Sequence, residues 1–185
     1  MNERQQILSN YLENHRPLQD RIKMRNPGFI VFAGLTGSGK STAVGQALQK
    51  YLSHFPDGRV FRLVDGNEDE NITVRGEVKV EKAEGVMPLG IGRLGADVVA
   101  VGEIRAGDSS RVVLELLEAG HNVIASVHAS SAEQSMQRIG SMVAMDPPDY
   151  LADVDFEDWR EAHVKRWENL KRHCLAVPMP DLATL

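Results

Sequence analysis

The sequence predicts an α/β fold with a mostly parallel sheet that is covered by helices on both faces. Predicted strands cover residues 29–33, 60–64, 97–101 and 123–127, and three of them are largely apolar runs, typical of strands buried on both faces. Segments with helical periodicity lie between these strands. Strands that alternate with helices along a chain favour parallel pairing through crossover connections.

Composition and charge exclude several classes of protein. The chain has 185 residues, of which 42% are hydrophobic and 25% are charged, so it can bury a core and is not expected to be disordered. It lacks a run of 18 apolar residues and an apolar signal region at its start, so we expect neither a membrane span nor signal-peptide secretion. A single cysteine, Cys174, excludes an internal disulfide framework. The net charge of −5 argues against direct nucleic-acid binding over the whole surface.

The pattern divides the chain into three parts. An N-terminal helical segment is predicted over residues 1–27, with a break expected at Arg16-Pro17. A core follows over residues 28–145, and a C-terminal helical tail over residues 146–185. In this tail, one predicted helical face carries Phe156, Trp159, His163, Trp167, Leu170 and Cys174. Within the core we predict helices over residues 40–52, 108–119 and 130–143, the last opened by a capping box of Ser130 and Glu133, and a hairpin over residues 71–82.

A glycine-rich loop between the first strand and the helix 40–52 carries the most informative motif. Residues 34–41 (GLTGSGKS), here called the phosphate loop, match the pattern G-x-x-x-x-G-K-[ST]. Glycines leave the N–H groups of a tight loop accessible to an anion, and the N-terminus of the following helix adds partial positive charge. The motif therefore predicts a site for the phosphates of a nucleotide.

The expected cofactor is ATP with Mg²⁺. Lys40 is predicted to reach the β- and γ-phosphates as a point charge, and the Ser41 hydroxyl to ligate Mg²⁺. The residues expected to contact the nucleotide are Gly34, Thr36, Gly37, Ser38, Gly39, Lys40, Ser41 and Thr42.

Two later strands run into polar side chains. Glu103 follows the strand 97–101, and we expect a strand beside the first one to end near the phosphates, where a carboxylate orients Mg²⁺ or the attacking water. His128 closes the strand 123–127 and could sense the γ-phosphate, but a strand-end histidine is more often structural. Single arginines could neutralise transition-state charge, although solvation explains each one better when taken alone. These are Arg105, Arg111 and Arg138.

Together these segments resemble the secretion-superfamily ATPases, the motors of type II and type IV secretion, type IV pili and conjugative transfer. The phosphate loop is shared with many families, whereas a Gly-Glu-Ile-Arg strand end followed by a helix, Gly-His, an apolar strand and a histidine is more specific. The resemblance covers about residues 28–142 and implies a three-layer P-loop NTPase fold (RecA-like). The matching segments are residues 34–42, 102–105, 120–121, 126–130 and 138–139.

The resemblance implies an ATP-hydrolysing motor that works as a hexameric ring with nucleotide sites between subunits. Lys40 and Ser41 would hold phosphate and Mg²⁺. Glu103 would be the catalytic glutamate and a further Mg²⁺ ligand, with Arg105 as the arginine beside it. His128 would match the histidine of the family's histidine box. The implied location is the cytoplasm, with docking to secretion, pilus or conjugation machinery at the inner membrane.

The sequence also departs from the family pattern. The acidic box after the second strand is altered, and the pattern does not decide which carboxylate fills it among Asp65, Glu68, Asp69 and Glu70. The family's N-terminal domain is not recognised in the residues before the first strand. We therefore expect either a partner chain that supplies this domain or a reduced or truncated member with low activity.

Two alternatives remain open at this point. One is a small-molecule kinase similar to adenylylsulfate kinases, in which Asp65 would accept the proton of a substrate hydroxyl. It leaves the segments around Glu103 and His128 unexplained. The other is a nucleotide-binding assembly subunit with little turnover, whose predicted tail helix, with Trp159 and Trp167, could dock a partner or simply cap the core.

Overall fold

The computed structural model describes residues 3–64, 76–79, 95–106, 108–145 and 155–180, and these form one parallel sheet with helices on both faces. The strands are β1 (Phe29–Gly34), β2 (Val60–Val64), β3 (Gly76–Lys79), β4 (Val98–Ile104), β5 (Asn122–His128) and β6 (Cys174–Pro178). The helices are α1 (Glu3–Asn14), α2 (Arg16–Ile22), α3 (Lys40–His54), α4 (Asp108–Glu118), α5 (Ala132–Val143) and α6 (Phe156–Leu170).

The six strands are ordered β3-β2-β4-β5-β1-β6, and every neighbouring pair is parallel. The predicted α/β fold with a mostly parallel sheet is therefore confirmed. One detail of the prediction is wrong: β4, which carries Glu103, does not lie beside β1, because β5 is inserted between them. Parallel strands need long crossovers, so their order along the chain does not determine their order in the sheet.

Two apolar clusters separate the helices into layers. We call the side of the sheet that packs on α1, α2 and α3 the α3 face, and the side that packs on α4, α5 and α6 the α4 face. Strand β1 contributes side chains to both faces. Ile30 and Phe32 belong to the cluster on the α3 face, whereas Phe29, Val31 and Ala33 belong to the cluster on the α4 face. This alternation explains why the whole of β1 is apolar and buried.

The N-terminal segment contains a break where the sequence predicts one. Helix α1 ends at Asn14 and α2 begins at Arg16, so Pro17 lies in the first turn of α2, where no N–H is required. His15 caps α2, because its Nδ1 accepts a hydrogen bond from the Leu18 N–H at 3.2 Å. On the α3 face, α1 buries Leu8 and Leu12, and α2 buries Leu18 and Ile22.

The C-terminal segment differs from the predicted single helix. Helix α6 ends at Leu170, a short 3-10 turn follows, and Cys174 begins β6 rather than continuing the helical face. Strand β6 pairs with β1 from Phe29↔Cys174 onward. The spacing of Cys174 is compatible with a helix. As a strand, however, this apolar segment forms backbone hydrogen bonds along the open edge of β1, and this tertiary contact favours the strand over the helix.

Two smaller predictions also need correction. The N-cap of α5 is Ser131, whose side chain accepts the Gln134 N–H, while the Gln134 side chain accepts the Ser130 N–H, so Ser130 and Glu133 do not form the predicted capping box. Within the proposed hairpin 71–82, the described residues 76–79 form an edge strand parallel to β2, and the remainder lies outside the described residues. In the part of the chain that the structure describes, no helix is long and apolar enough to cross a membrane.

Candidate functional site

The phosphate loop leaves β1 at Gly34 and ends where α3 begins at Lys40. Gly37 and Gly39 have φ angles of 79° and 85°, in the left-handed region that glycine adopts without strain. Gly34 is required for another reason, because a Cβ there would lie 2.2 Å from Ser38 Oγ. The glycines therefore allow the chain to fold back closely over the end of β1.

Lys40 lies at the start of α3, and its side chain folds over the loop. Its Nζ donates a hydrogen bond to the carbonyl oxygen of Leu35 at 3.0 Å. Burial lowers the pKa of Lys40, and the charge of Glu103 opposes this shift. The ammonium group thus has an adaptable backbone partner and lies within electrostatic reach of a carboxylate from a distant part of the chain.

The loop offers donors for an anion. The Ser38 hydroxyl is buried and has no hydrogen-bond partner in the described part of the chain. Gly39, the N-cap of α3, provides no side-chain cap, so the first-turn N–H groups are available to a ligand. Ser41 and Thr42 are exposed in that same turn. These residues fit a polyphosphate with its Mg²⁺: Ser41 and Glu103 would hold the metal, and the loop would hold the phosphates.

Glu103 reaches this site because β4 contains a bulge. The register with β5 runs from Val101↔Ala125 directly to Glu103↔Ser126, so Gly102 has no counterpart. Val101 and Ile104 both pack on the α4 face. In a regular strand Val101 and Glu103 would share a face, and the extra residue therefore turns Glu103 to the α3 face, toward Lys40.

Arg105 lies next to Glu103 and holds it. Its guanidinium donates to Glu103 Oε2 at 3.1 Å. The backbone of Arg105 is fixed in turn by Ser109, whose Oγ accepts the Arg105 N–H at 2.8 Å and donates to the Arg105 carbonyl at 3.0 Å. Because the ion pair is partly exposed, it contributes little to stability. Its effect is to orient the carboxylate.

His128 ends β5 directly opposite Gly34 in the register with β1. It shares the α3 face with Ile124 by the alternation of the strand, and its side chain is half-buried. The neighbouring Ala129 N–H also contacts the Gly34 carbonyl at 3.4 Å. The imidazole therefore lies at the edge of the sheet where the phosphate loop begins.

The remaining predicted residues either lie outside the described residues or lie on the other face of the sheet. The acidic-box candidates Asp65, Glu68, Asp69 and Glu70 lie outside the described residues. Arg111 and Arg138 belong to α4 and α5 on the opposite face of the sheet from α3, and Arg111 interacts electrostatically with Glu115 and His163 there.

Three further contributors to the site are not among the residues predicted from the sequence. The Leu35 carbonyl, the Gly102 bulge and Ser109 all shape the site, and only the bulge has a sequence signal, an isolated glycine within an apolar strand.

The class of protein follows from these features. A glycine-rich loop joins a buried strand of a parallel sheet to a helix, a lysine begins that helix, and a carboxylate faces the lysine. This arrangement defines the P-loop nucleotide-binding domains. A family model described as "Type II/IV secretion system protein" matches residues 6–148. The chain therefore belongs to the type II/IV secretion system protein family, which confirms the resemblance found in the sequence.

One curated relative supports the same assignment, and one solved structure shows the same fold. The type II secretion system protein E of Pectobacterium carotovorum subsp. carotovorum is 32% identical over 135 residues, which cover 70% of this chain and 26% of that protein. The VirB11 ATPase from the Brucella suis type IV secretion system, solved in complex with sulphate, superposes with a TM-score of 0.59 at 21% identity, over 86% of this chain and 47% of that one.

A second solved structure has the same fold. The pilus retraction motor PilT with bound ADP superposes with a TM-score of 0.51 at 21% identity, over 77% of this chain and 40% of that one. The three-layer P-loop fold is thereby confirmed. The chain spans about a quarter of the curated relative's length and less than half of each solved chain.

Proposed function

We propose that this chain binds ATP with Mg²⁺ and hydrolyses it as the core of a secretion, pilus or conjugation motor. The observation that carries the proposal is that one face of the sheet brings Lys40 and Glu103 into electrostatic contact beside the phosphate loop. Family membership supports an ATPase of this kind. It does not support the small-molecule kinase, which would also leave the placement of Glu103 and His128 unexplained.

The side chains of the site have separate tasks in hydrolysis. Bound Mg²⁺ supplies positive charge at the β- and γ-phosphate oxygens. Lys40 exchanges the Leu35 carbonyl for phosphate oxygens and stabilises the charge that develops on them. Glu103 accepts a hydrogen bond from the attacking water and orients it, while Arg105 holds the carboxylate in place. His128, at the end of the strand beside the loop, contacts the γ-phosphate side of the site.

The proposal extends to assembly and location. We propose a homo-oligomeric ring, hexameric as the resemblance implies, which acts in the cytoplasm with secretion, pilus or conjugation machinery at the inner membrane. For the family's N-terminal domain, we propose that a partner chain supplies it; the alternative is a reduced or truncated member with low activity. Native mass measurement with and without ATP tests the ring, because a monomer in both states contradicts it.

Substitution of Glu103 by Gln tests hydrolysis directly. Glu103→Gln removes the charge but keeps the shape, so we expect ATP affinity to stay within a few-fold and steady-state phosphate release to fall by about 100-fold or more. Binding is followed with a fluorescent ATP analogue, and phosphate release with a coupled assay. Loss of ATP binding in this variant would instead assign Glu103 a structural role.

The second candidate function is a nucleotide-binding assembly subunit with little turnover, which the altered acidic box favours. The same experiment separates the two functions. Equal phosphate release near background by the wild type and by Glu103→Gln, with ATP binding intact in both, would overturn the ATPase proposal and favour the assembly subunit.

A further inference from the structure

The bulge that turns Glu103 toward the phosphate loop leaves a backbone group in need of a partner. An extra residue interrupts the regular hydrogen-bond ladder between β4 and β5, since Gly102 has no counterpart on β5. Gly102 is half-buried, and its carbonyl costs free energy if it stays unpaired away from water. A nearby donor that satisfies this carbonyl therefore stabilises the bulge.

Ser126 supplies that donor. Its Oγ donates a hydrogen bond to the Gly102 carbonyl at 2.9 Å. Ser126 is 2% exposed and lies in a strand whose neighbouring residues, Ala125 and Val127, are both apolar and fully buried. An alanine or valine would suit such a position, so the hydroxyl is the exception that the bulge explains.

The register places Ser126 directly opposite Glu103. The same strand ends two residues later at His128, opposite Gly34. Ser126, Glu103 and His128 therefore lie together on the α3 face at the carboxyl edge of the sheet. A change in the backbone conformation at Gly102 would therefore displace Glu103 more than it would disturb the apolar side chains of the sheet.

We propose that Ser126 is a positioning residue for ATP hydrolysis: its hydroxyl holds the Gly102 carbonyl and so keeps the bulge that presents Glu103 to the phosphate loop. This inference rests on the proposed function, because it assigns a task to Ser126 in the reaction that Glu103 performs. Ser126 touches neither the nucleotide nor the water in this account. It acts through the backbone alone.

The test compares three variants of the protein. Ser126→Ala removes the donor, Ser126→Thr keeps a hydroxyl on a strand-compatible side chain, and Ser135→Ala is the matched control. Ser135 is also fully buried and its hydroxyl also donates to a backbone carbonyl, that of Ala132, but it lies in α5. If Ser126→Ala does not fold, Ser126→Cys, which is close in size and a weak donor, replaces it.

The expected result is a split between catalysis and binding. Displacement of a reacting group by about 1 Å costs about 100-fold in rate, so we expect kcat of Ser126→Ala to fall by about that factor while KM and Kd for ATP stay within about twofold. Ser126→Thr restores kcat to within about threefold of the wild type, and Ser135→Ala leaves it unchanged.

Other results would overturn the inference. Wild-type kcat in Ser126→Ala, or a parallel loss of kcat and ATP binding in both Ser126 variants, contradicts a positioning role. If the wild type itself releases no more phosphate than Glu103→Gln, the proposed function fails. Crystal structures then decide the inference on the bulge alone: an unchanged bulge with Glu103 in its wild-type position in Ser126→Ala overturns it, and loss of the bulge or a displaced Glu103 carboxylate supports it.

Discussion

At the scale of single residues, Lys40 shows how the site is prepared for a ligand. Its ammonium group is partly desolvated, which lowers its pKa, and its hydrogen bond goes to a backbone carbonyl of its own loop. Such a bond is easily exchanged, because a carbonyl carries no net charge whereas a phosphate does. A bound polyphosphate would therefore draw Lys40 away from Leu35 and favour its protonated form.

Replacing Lys40 tests this role. We expect Lys40→Ala to raise the Kd for ATP by about 100-fold, because charge-assisted hydrogen bonds are each worth about 1.5–3 kcal/mol. The exposed Lys50 on the same helix is the matched control, since Lys50→Ala removes the same charge away from the loop. Titration calorimetry with ATP and Mg²⁺ measures both. Unchanged affinity in Lys40→Ala would refute the assignment of the phosphate loop.

The residues of the site were predictable to different degrees, for physical reasons. The phosphate loop was predictable because its chemistry is local: glycines, a lysine and a hydroxyl lie within one turn of chain. The orientation of Glu103 was not, because it depends on a bulge whose register is set by pairing with another strand. The prediction that Cys174 lies in a helix was wrong, because the segment that begins at Cys174 pairs as a strand with the edge of β1, and this contact is tertiary rather than local.

At the scale of elements, two mid-helix glycines have opposite surroundings. A Cβ on Gly45, in α3, would meet nothing within 4 Å, whereas one on Gly140, in α5, would lie 2.7 Å from Cδ1 of Trp167. Trp167 is 2% exposed and its indole N–H donates to the Met136 carbonyl at 3.2 Å, so the ring has little room to move. Gly140 thus allows α5 and α6 to pack closely, and Gly45 has no such task.

Alanine at these two positions should change stability with opposite signs. We expect Gly45→Ala to raise the free energy of unfolding by about 0.5–1 kcal/mol, because glycine is a poor helix former. Gly140→Ala should lower it by about 1–3 kcal/mol, because the added methyl overpacks against the indole. Urea unfolding followed by circular dichroism measures both, and each variant controls for the other. Stabilisation by Gly140→Ala would show that α5 and α6 can separate without cost.

At the scale of the whole molecule, one histidine lies in the contact between two helices of the α4 face. The ring of His163 stacks on Trp159, its Nδ1 lies 2.8 Å from the Trp159 carbonyl, and its Nε2 lies 3.2 Å from the guanidinium of Arg166. Arg166 in turn pairs with Glu118 of α4. Burial lowers the pKa of His163 below its usual value of 6.5. The charged groups that face it are Arg111 and Glu118 from α4 and Arg166 from α6. The hydrogen bond to the Trp159 carbonyl and the charge of Glu118 oppose the downward shift of this pKa, whereas the two arginines add to it.

The stability of the protein should therefore fall on acidification. Below about pH 6.5 the unfolded chain takes up a proton at His163 that the folded chain resists, so the free energy of unfolding decreases as the pH falls toward the lowered pKa. Nearer pH 4.5 the raised pKa of Glu115 has the opposite effect on the free energy of unfolding.

We expect urea midpoints to drop between pH 7.5 and 5.5, and His163→Gln to reduce this drop. His54→Gln, at an exposed position, serves as the control. An unchanged pH dependence in His163→Gln would contradict this assignment.

Strand β6 gives the molecule a particular order of assembly. The Met179 N–H, just after this strand, donates to the Ala33 carbonyl at 2.7 Å, and the Met179 side chain lies against the backbone of Gly34. The loop near the beginning of the core therefore rests on a residue that the ribosome adds much later. A nascent chain cannot form this contact until Met179 has left the ribosomal exit tunnel, so the phosphate loop reaches its final geometry only after β6 has been synthesised.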